Sequence, residues 1–303
     1  MDKSIRPELW AMIWRAFILP LGRHTNMNNR KAIRALVRKD IRAITASVQL
    51  WLPMLIVPLV IGIIMPGILI WAASRMELAS LGNMSFLLDT LDSLTDAGRI
   101  PHLASMPTDN HRIVYYLALY MFAPLFLIIP VMASSILTAN SFAGEKERKT
   151  LEGLLFTPMS MDTLFKGKVL AALIPSLILS WATFIIYGII ANILMYPMFG
   201  ALMFPNLNWI ILVLWVVPAC SLVVILLNVL ISAKVRGFQE AYQLGGLVVI
   251  PLLALIAGQA SGMLLISPLM LILVGAVLLL ISFALLRLVT LWNSRQQLAE
   301  SQI

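Results

Sequence analysis

Charge is what this sequence has least of. Only 12% of its 303 residues are Asp, Glu, Lys or Arg, and 60% are hydrophobic. Soluble domains carry about 25% charged residues, so the deficit assigns much of the surface to lipid rather than water. Cysteine is nearly absent. The single Cys220 excludes an intramolecular disulfide framework and a cysteine-based zinc site. Three histidines, His24, His102 and His111, are too few and too divided for a metal cluster. There is no G-x-x-x-x-G-K-[ST] phosphate loop, no H-E-x-x-H and no G-x-S-x-G. "FKGKV" at Phe165–Val169 has a Gly-Lys pair but not the first glycine of a phosphate loop. ATP hydrolysis by that route, zinc-protease chemistry and serine-hydrolase chemistry are therefore not expected of this chain.

Long uncharged runs are what the chain has instead. They cover residues 43–74, 113–144, 169–233 and 241–286. A membrane-crossing helix needs about 20 apolar residues. The first two runs hold one span each. The third holds two, separated by turn residues in "MYPMFGALMFPNLN" (Met195–Asn208), and the fourth holds two, broken near "AGQASG" (Ala257–Gly262). The expected fold is an all-α integral membrane protein with spans near 50–73, 114–138, 168–192, 208–232, 241–258 and 267–289. A soluble bundle would show polar stripes at helical period, and these runs are apolar all round. The spans contain essentially no ionisable residue, which argues against an ion-coupled carrier, since such carriers place charge at mid-membrane.

The basic residues orient the spans. Nineteen Lys and Arg fall in 1–49, 139–168, 233–240 and 287–303, and three fall in 74–112. Lys and Arg are retained on the cytoplasmic side, so both termini are expected there, in the inner (plasma) membrane. The net charge of +8 is thus assigned to cytoplasmic loops facing lipid headgroups, not to nucleic acid. Residues 1–26 read as an interfacial segment: Arg15 interrupts the apolar face of "ELWAMIWRAFILPLGRH", and no cleavage site follows. In "MNNRKAIRALVRKDIRAI", Ile33, Leu36, Val37, Ile41 and Ile44 share one helical face, and Arg34, Arg38 and Arg42 another. This basic amphipathic helix is expected on the cytoplasmic surface of the bilayer, as a membrane anchor or as a transmitter of force. "MSFLLDTLDSL" (Met84–Leu94) predicts a short amphipathic helix on the opposite side, within the one sizeable external segment, 74–112.

The most polar stretch inside the apolar region is "NSFAGEKERKTLEGLLFTP", Asn140–Pro158. With "MSMDTLFKGKVL" after it, it resembles the signature of the ABC-2 type permease family, the membrane-spanning subunits of many ATP-binding-cassette exporters. The matching residues are Glu147-Arg148, Thr150-Leu151-Glu152, Leu154-Leu155, Thr157-Pro158, Ser160 and Gly167-Lys168. "SAKVRGFQEAYQLGGLVVIPLL" (Ser232–Leu253) is similar to that family's link between the fourth and fifth spans. The family commonly has a small residue after the arginine, where this chain has Lys149.

The resemblance implies a transmembrane domain over 27–303 and a coupling helix after the second span, seated in a groove of a separate ATPase subunit. The charges from Glu145 to Lys149 would form a polar rim, with Glu145, Glu147, Arg148, Thr150, Leu151, Glu152, Leu154 and Leu155 as the coupling residues. Leu151, Leu154 and Leu155 would be a small apolar anchor. Pro158 would end the segment, and Ser160 would cap the third span. The resemblance also implies a dimer, of two copies or with a related permease, and no cofactor on this chain, ATP and Mg being held by the partner ATPase. The alternative reading is a self-sufficient channel or secondary transporter. The spans offer aromatic and sulfur surface (Trp181, Tyr187, Trp215, Met195) and the prolines Pro124, Pro130, Pro175 and Pro218, a lining that would suit an amphiphilic cargo.

Overall fold

A computed structural model describes residues 27–75, 85–96, 100, 103–148, 161–235, 237–260 and 267–300. The helices are α1 (Met27–Ala46), α2 (Leu50–Arg75), α3 (Ser85–Asp96), α4 (Asp109–Glu147), α5 (Met161–Phe199), α6 (Leu207–Lys234), α7 (Phe238–Gln259) and α8 (Pro268–Glu300). No strand occurs among the described residues. Six of the helices, all but α1 and α3, are long and apolar enough to cross a membrane. The fold is an all-α membrane bundle, as the uncharged runs imply.

The helices outrun those runs. α4 continues through Asn140–Glu147, and α5 begins at Met161 and ends at Phe199. The start of the polar stretch is therefore not a loop but the end of the second spanning helix. Lys166 and Lys168 lie in the first turns of the third. Gly200, at φ +63°, follows α5 and returns its N–H to the Tyr196 carbonyl at 2.9 Å. A left-handed residue at a helix C-terminus is most easily supplied by glycine. The hairpin that follows is folded back on α5. Asn192 donates from Nδ2 to the Phe204 carbonyl (2.8 Å) and accepts the Phe204 N–H at Oδ1 (3.1 Å). Asn206 then caps α6 by accepting the Trp209 N–H.

α4 and α6 form the inside. Their most apolar stretches are 78% and 61% buried, against 11% and 17% for α7 and α8. The core is packed around Leu119, Phe126, Ile129, Tyr187, Trp209, Leu212 and Val216; Tyr187 stacks on Trp209, and the other contacts among Phe126, Phe184, Tyr187, Phe204 and Trp209 are edge to face or tilted, ring centroids 5.0–6.1 Å apart. Tyr187 and Met195, expected along a cargo path, are core residues here. Trp181 and Trp215 are partly exposed, and their indoles donate to the Val213 and Ile272 carbonyls, both at 3.2 Å.

Three spans contain wide, π-type turns: Pro58–Ile64 in α2, Leu117–Met121 and Asn140–Gly144 in α4, and Leu212–Val216 in α6. Backbone groups left over at such turns must be satisfied inside the protein, because lipid offers no partner. In α4 the neighbours do this one carbonyl at a time. Ala118 accepts from the Tyr187 hydroxyl (2.7 Å), Leu119 from the Trp209 indole (3.1 Å) and Tyr120 from the Gln259 amide (2.7 Å). Pro124 explains the last: it has no N–H to give the carbonyl four residues back. One irregular turn thereby fastens α5, α6 and α7 to α4.

At the end of the bundle that carries α3, Leu91 and Leu94 are fully buried against Leu103 and Ile113. Arg112 joins α3 to α4 through Asp92 (2.7 Å), Thr95 (2.9 Å) and Asp109 (3.1 Å). Over Ser85–Leu94 the amphipathic pattern is thus a docked helix.

Candidate functional site

The opposite end, where α1, the end of α4 and the start of α5 meet, is the basic end. α1 reaches it by close contact. Leu36 lies on Gly167, where an added Cβ would come within 2.6 Å of its Cδ2. The glycine of the Gly-Lys pair is therefore a packing position, in direct contact with α1. Leu36 and Ile44 are buried, while Arg34, Arg38 and Arg42 are exposed. The amphipathic split read from the sequence is the split that α1 shows.

Four ionisable groups converge behind that contact. Glu145 accepts from Lys39 of α1 at 2.9 Å through Oε1 and from Lys168 of α5 through Oε2. Lys168 also donates to the Ser141 carbonyl and lies 5.0 Å from the centre of the Phe142 ring. Ser141 donates its hydroxyl to Asp40 at 2.9 Å. Asp40, Glu145 and Lys168 are all buried. Two acids and two cations make the group neutral overall, which is what allows it to be buried: an unpaired charge there would be far more costly than a matched set. Burial pushes the Asp40 carboxyl above the usual carboxylate range, and Lys168 and the Ser141 hydroxyl oppose that push.

The next two residues brace the other helices. Lys146 donates to the Val235 carbonyl at 2.8 Å and to the Ala233 carbonyl at 3.4 Å, closing the C-terminus of α6. Glu147 accepts the Phe238 N–H at 2.9 Å, and so holds the N-terminus of α7, where a carboxylate is favoured by the helix dipole. Gly237 lies against it: an added Cβ would come within 2.6 Å of Glu147 Oε2, so the carboxylate would have to shift.

The placement of the expected coupling residues follows. Glu145 points inward; Glu147 is exposed while it holds the N-terminus of α7, and Arg148 is exposed. Thr150, Leu151, Glu152, Leu154 and Leu155, with Pro158 and Ser160, lie outside the described residues. Lys39, Asp40, Ser141 and Lys168 were not among the residues expected to act. A signal was present: Asp40 is the only acid between residues 27 and 49, in the middle of a basic helix. Among the described residues no group of His, Cys, Asp or Glu could hold a metal ion.

Six apolar helices, four of them around an inner pair, define a multi-pass membrane protein. The model of the ABC-2 family transporter proteins matches residues 34–267, and the chain belongs to that family. It is on that ground a transmembrane permease subunit of an ABC transporter, a kind of subunit that is typically non-enzymatic and associates with an ABC ATPase. No curated protein and no solved structure matches the chain.

Proposed function

We propose that this permease serves an ATP-driven exporter, that it works as a dimer, and that a separate ATPase drives it through the segment 140–158. The observation that carries the reading is the bracing of α4 at the basic end. Over Asn140–Glu147 it is bonded to α1, α5, α6 and α7. The motif 149–158 follows directly, so a force applied to it would act on five helices together. The excess of Lys and Arg at this end supports a cytoplasmic position for it, with both termini cytoplasmic and the bundle in the inner (plasma) membrane. The large uncovered apolar faces of α7 and α8 suit a second permease as well as lipid.

The experiment is purification of the tagged chain from its native host, where a phosphate-loop ATPase should come down with it, and of the chain expressed alone. The chain alone should show no ATP turnover. The complex should turn over ATP and have the mass of two permeases with two ATPases. Turnover by the permease alone, or a complex with one permease, would contradict the reading.

A further inference from the structure

We propose that the groove between α1 and α5 at the basic end is a binding site for an anionic phospholipid. The groove has a volume of about 580 Å³, within the range of small-molecule sites. Its floor is apolar, made by Val37 and Ile41 of α1 with Leu170 and Ile174 of α5. Arg34, Arg38 and Arg42 line it as well, almost wholly through their aliphatic stems, and the three side chains are exposed at its edge. Four-residue spacing puts these guanidiniums in one row, successive side chains about 6 Å apart along the helix.

The row is not balanced from within. Among the described residues no carboxylate pairs with Arg34, Arg38 or Arg42. The only acid of α1, Asp40, is on the buried side and bonded to Ser141. On α5, Lys168 is engaged with Glu145. The groove is therefore an apolar cleft with three exposed positive charges beside it. A guanidinium fork suits a phosphate diester.

Free phosphate would satisfy the rim and leave the floor uncovered, so the two halves together select a lipid. The floor also leads onward. Ile174, Ile178, Trp181 and Ile185 are 39–59% exposed along one stripe of α5, so an acyl chain resting on Ile174 continues along apolar surface. The occupant is held by α1 and α5 at once, and these are two of the helices joined by the Lys39–Glu145–Lys168 ion pairs.

The test is native mass spectrometry of the purified full-length chain with equal phosphatidylglycerol and phosphatidylcholine. Phosphatidylglycerol should be retained in preference by on the order of a hundredfold, the scale expected of three arginines near an anionic lipid surface. R34Q/R38Q/R42Q should abolish the preference. The R34K/R38K/R42K variant should keep most of it, which separates loss of charge from loss of fold. Ile41→Trp should lower retention with all three charges in place. Equal retention of the two lipids by the unaltered chain would overturn the proposal. So would an unchanged preference in the glutamine variant, or displacement of the lipid by millimolar inorganic phosphate. An undiminished preference in Ile41→Trp would mean attraction by surface charge alone, and would overturn the groove.

Discussion

Lys168 is the residue on which the basic end depends most. It is buried, it shares Glu145 with Lys39, and it bridges that carboxylate and the Ser141 carbonyl. Removing one partner of a buried pair costs about 3–5 kcal/mol, because the other charge stays behind. Lys168→Met should therefore lower the melting temperature of the purified chain sharply. Adding Glu145→Gln should recover part of the loss, since it removes the stranded charge. A double variant no more stable than Lys168→Met would argue against a coupled pair. Asp40 should behave in the opposite way. Its raised pKa means that the folded chain holds the proton more tightly than the unfolded chain does. That contribution is present at low pH and is lost as pH rises through the folded value. Asp40→Asn should thus be neutral or slightly stabilising at pH 7, and its advantage should shrink as the pH is lowered towards that value. Melting curves of both chains across pH 4–8, taken at on the order of one-unit steps, would show whether the difference has this sign.

Helices meet in this bundle where one of them is irregular. The wide turn at Leu117–Met121 gives three carbonyls to three neighbours. Tyr187→Phe and Gln259→Leu should each destabilise by about 1–3 kcal/mol, the cost of leaving a buried carbonyl unpaired. Thermal unfolding in detergent measures both, and no change in either would mean that the carbonyls are satisfied elsewhere. Gly245 marks a second junction. A Cβ there would run into Asn228 of α6 and Ser135 of α4, so Gly245→Ala should destabilise by about 1–3 kcal/mol through overpacking.

The existence and order of these helices are legible in the sequence because lipid demands long uncharged runs. Their ends are not. A charged residue closes an uncharged run but does not stop a helix, and α4 runs on to Glu147 because its charges find partners there. Those partners could not be read in advance. Asp40 and Ser141 are 101 positions apart, and Lys39 and Glu145 are 106 apart, so the packing of α1 and α4 on α5 is what brings them together. The amphipathic pattern of α3 is legible in the sequence because it is local.

At the scale of the whole molecule, the basic end and the α3 end should face opposite sides of the membrane. A cysteine at Ser105, which is exposed beside α4, should react with an impermeant thiol reagent added to intact cells. One at Ser294 should not. Labelling of Ser294 alone would reverse the orientation.

The central claim is that force enters through the segment after α4. It is tested most directly by placing a charge on the proposed apolar anchor. Leu151→Asp adds a carboxylate whose desolvation would cost several kcal/mol in a closed interface. Retention of the ATPase on the tagged permease is the quantity to measure, with membrane insertion checked in the same sample. The account predicts that the ATPase is lost while the six spans remain inserted. Full retention of the ATPase by Leu151→Asp would contradict it.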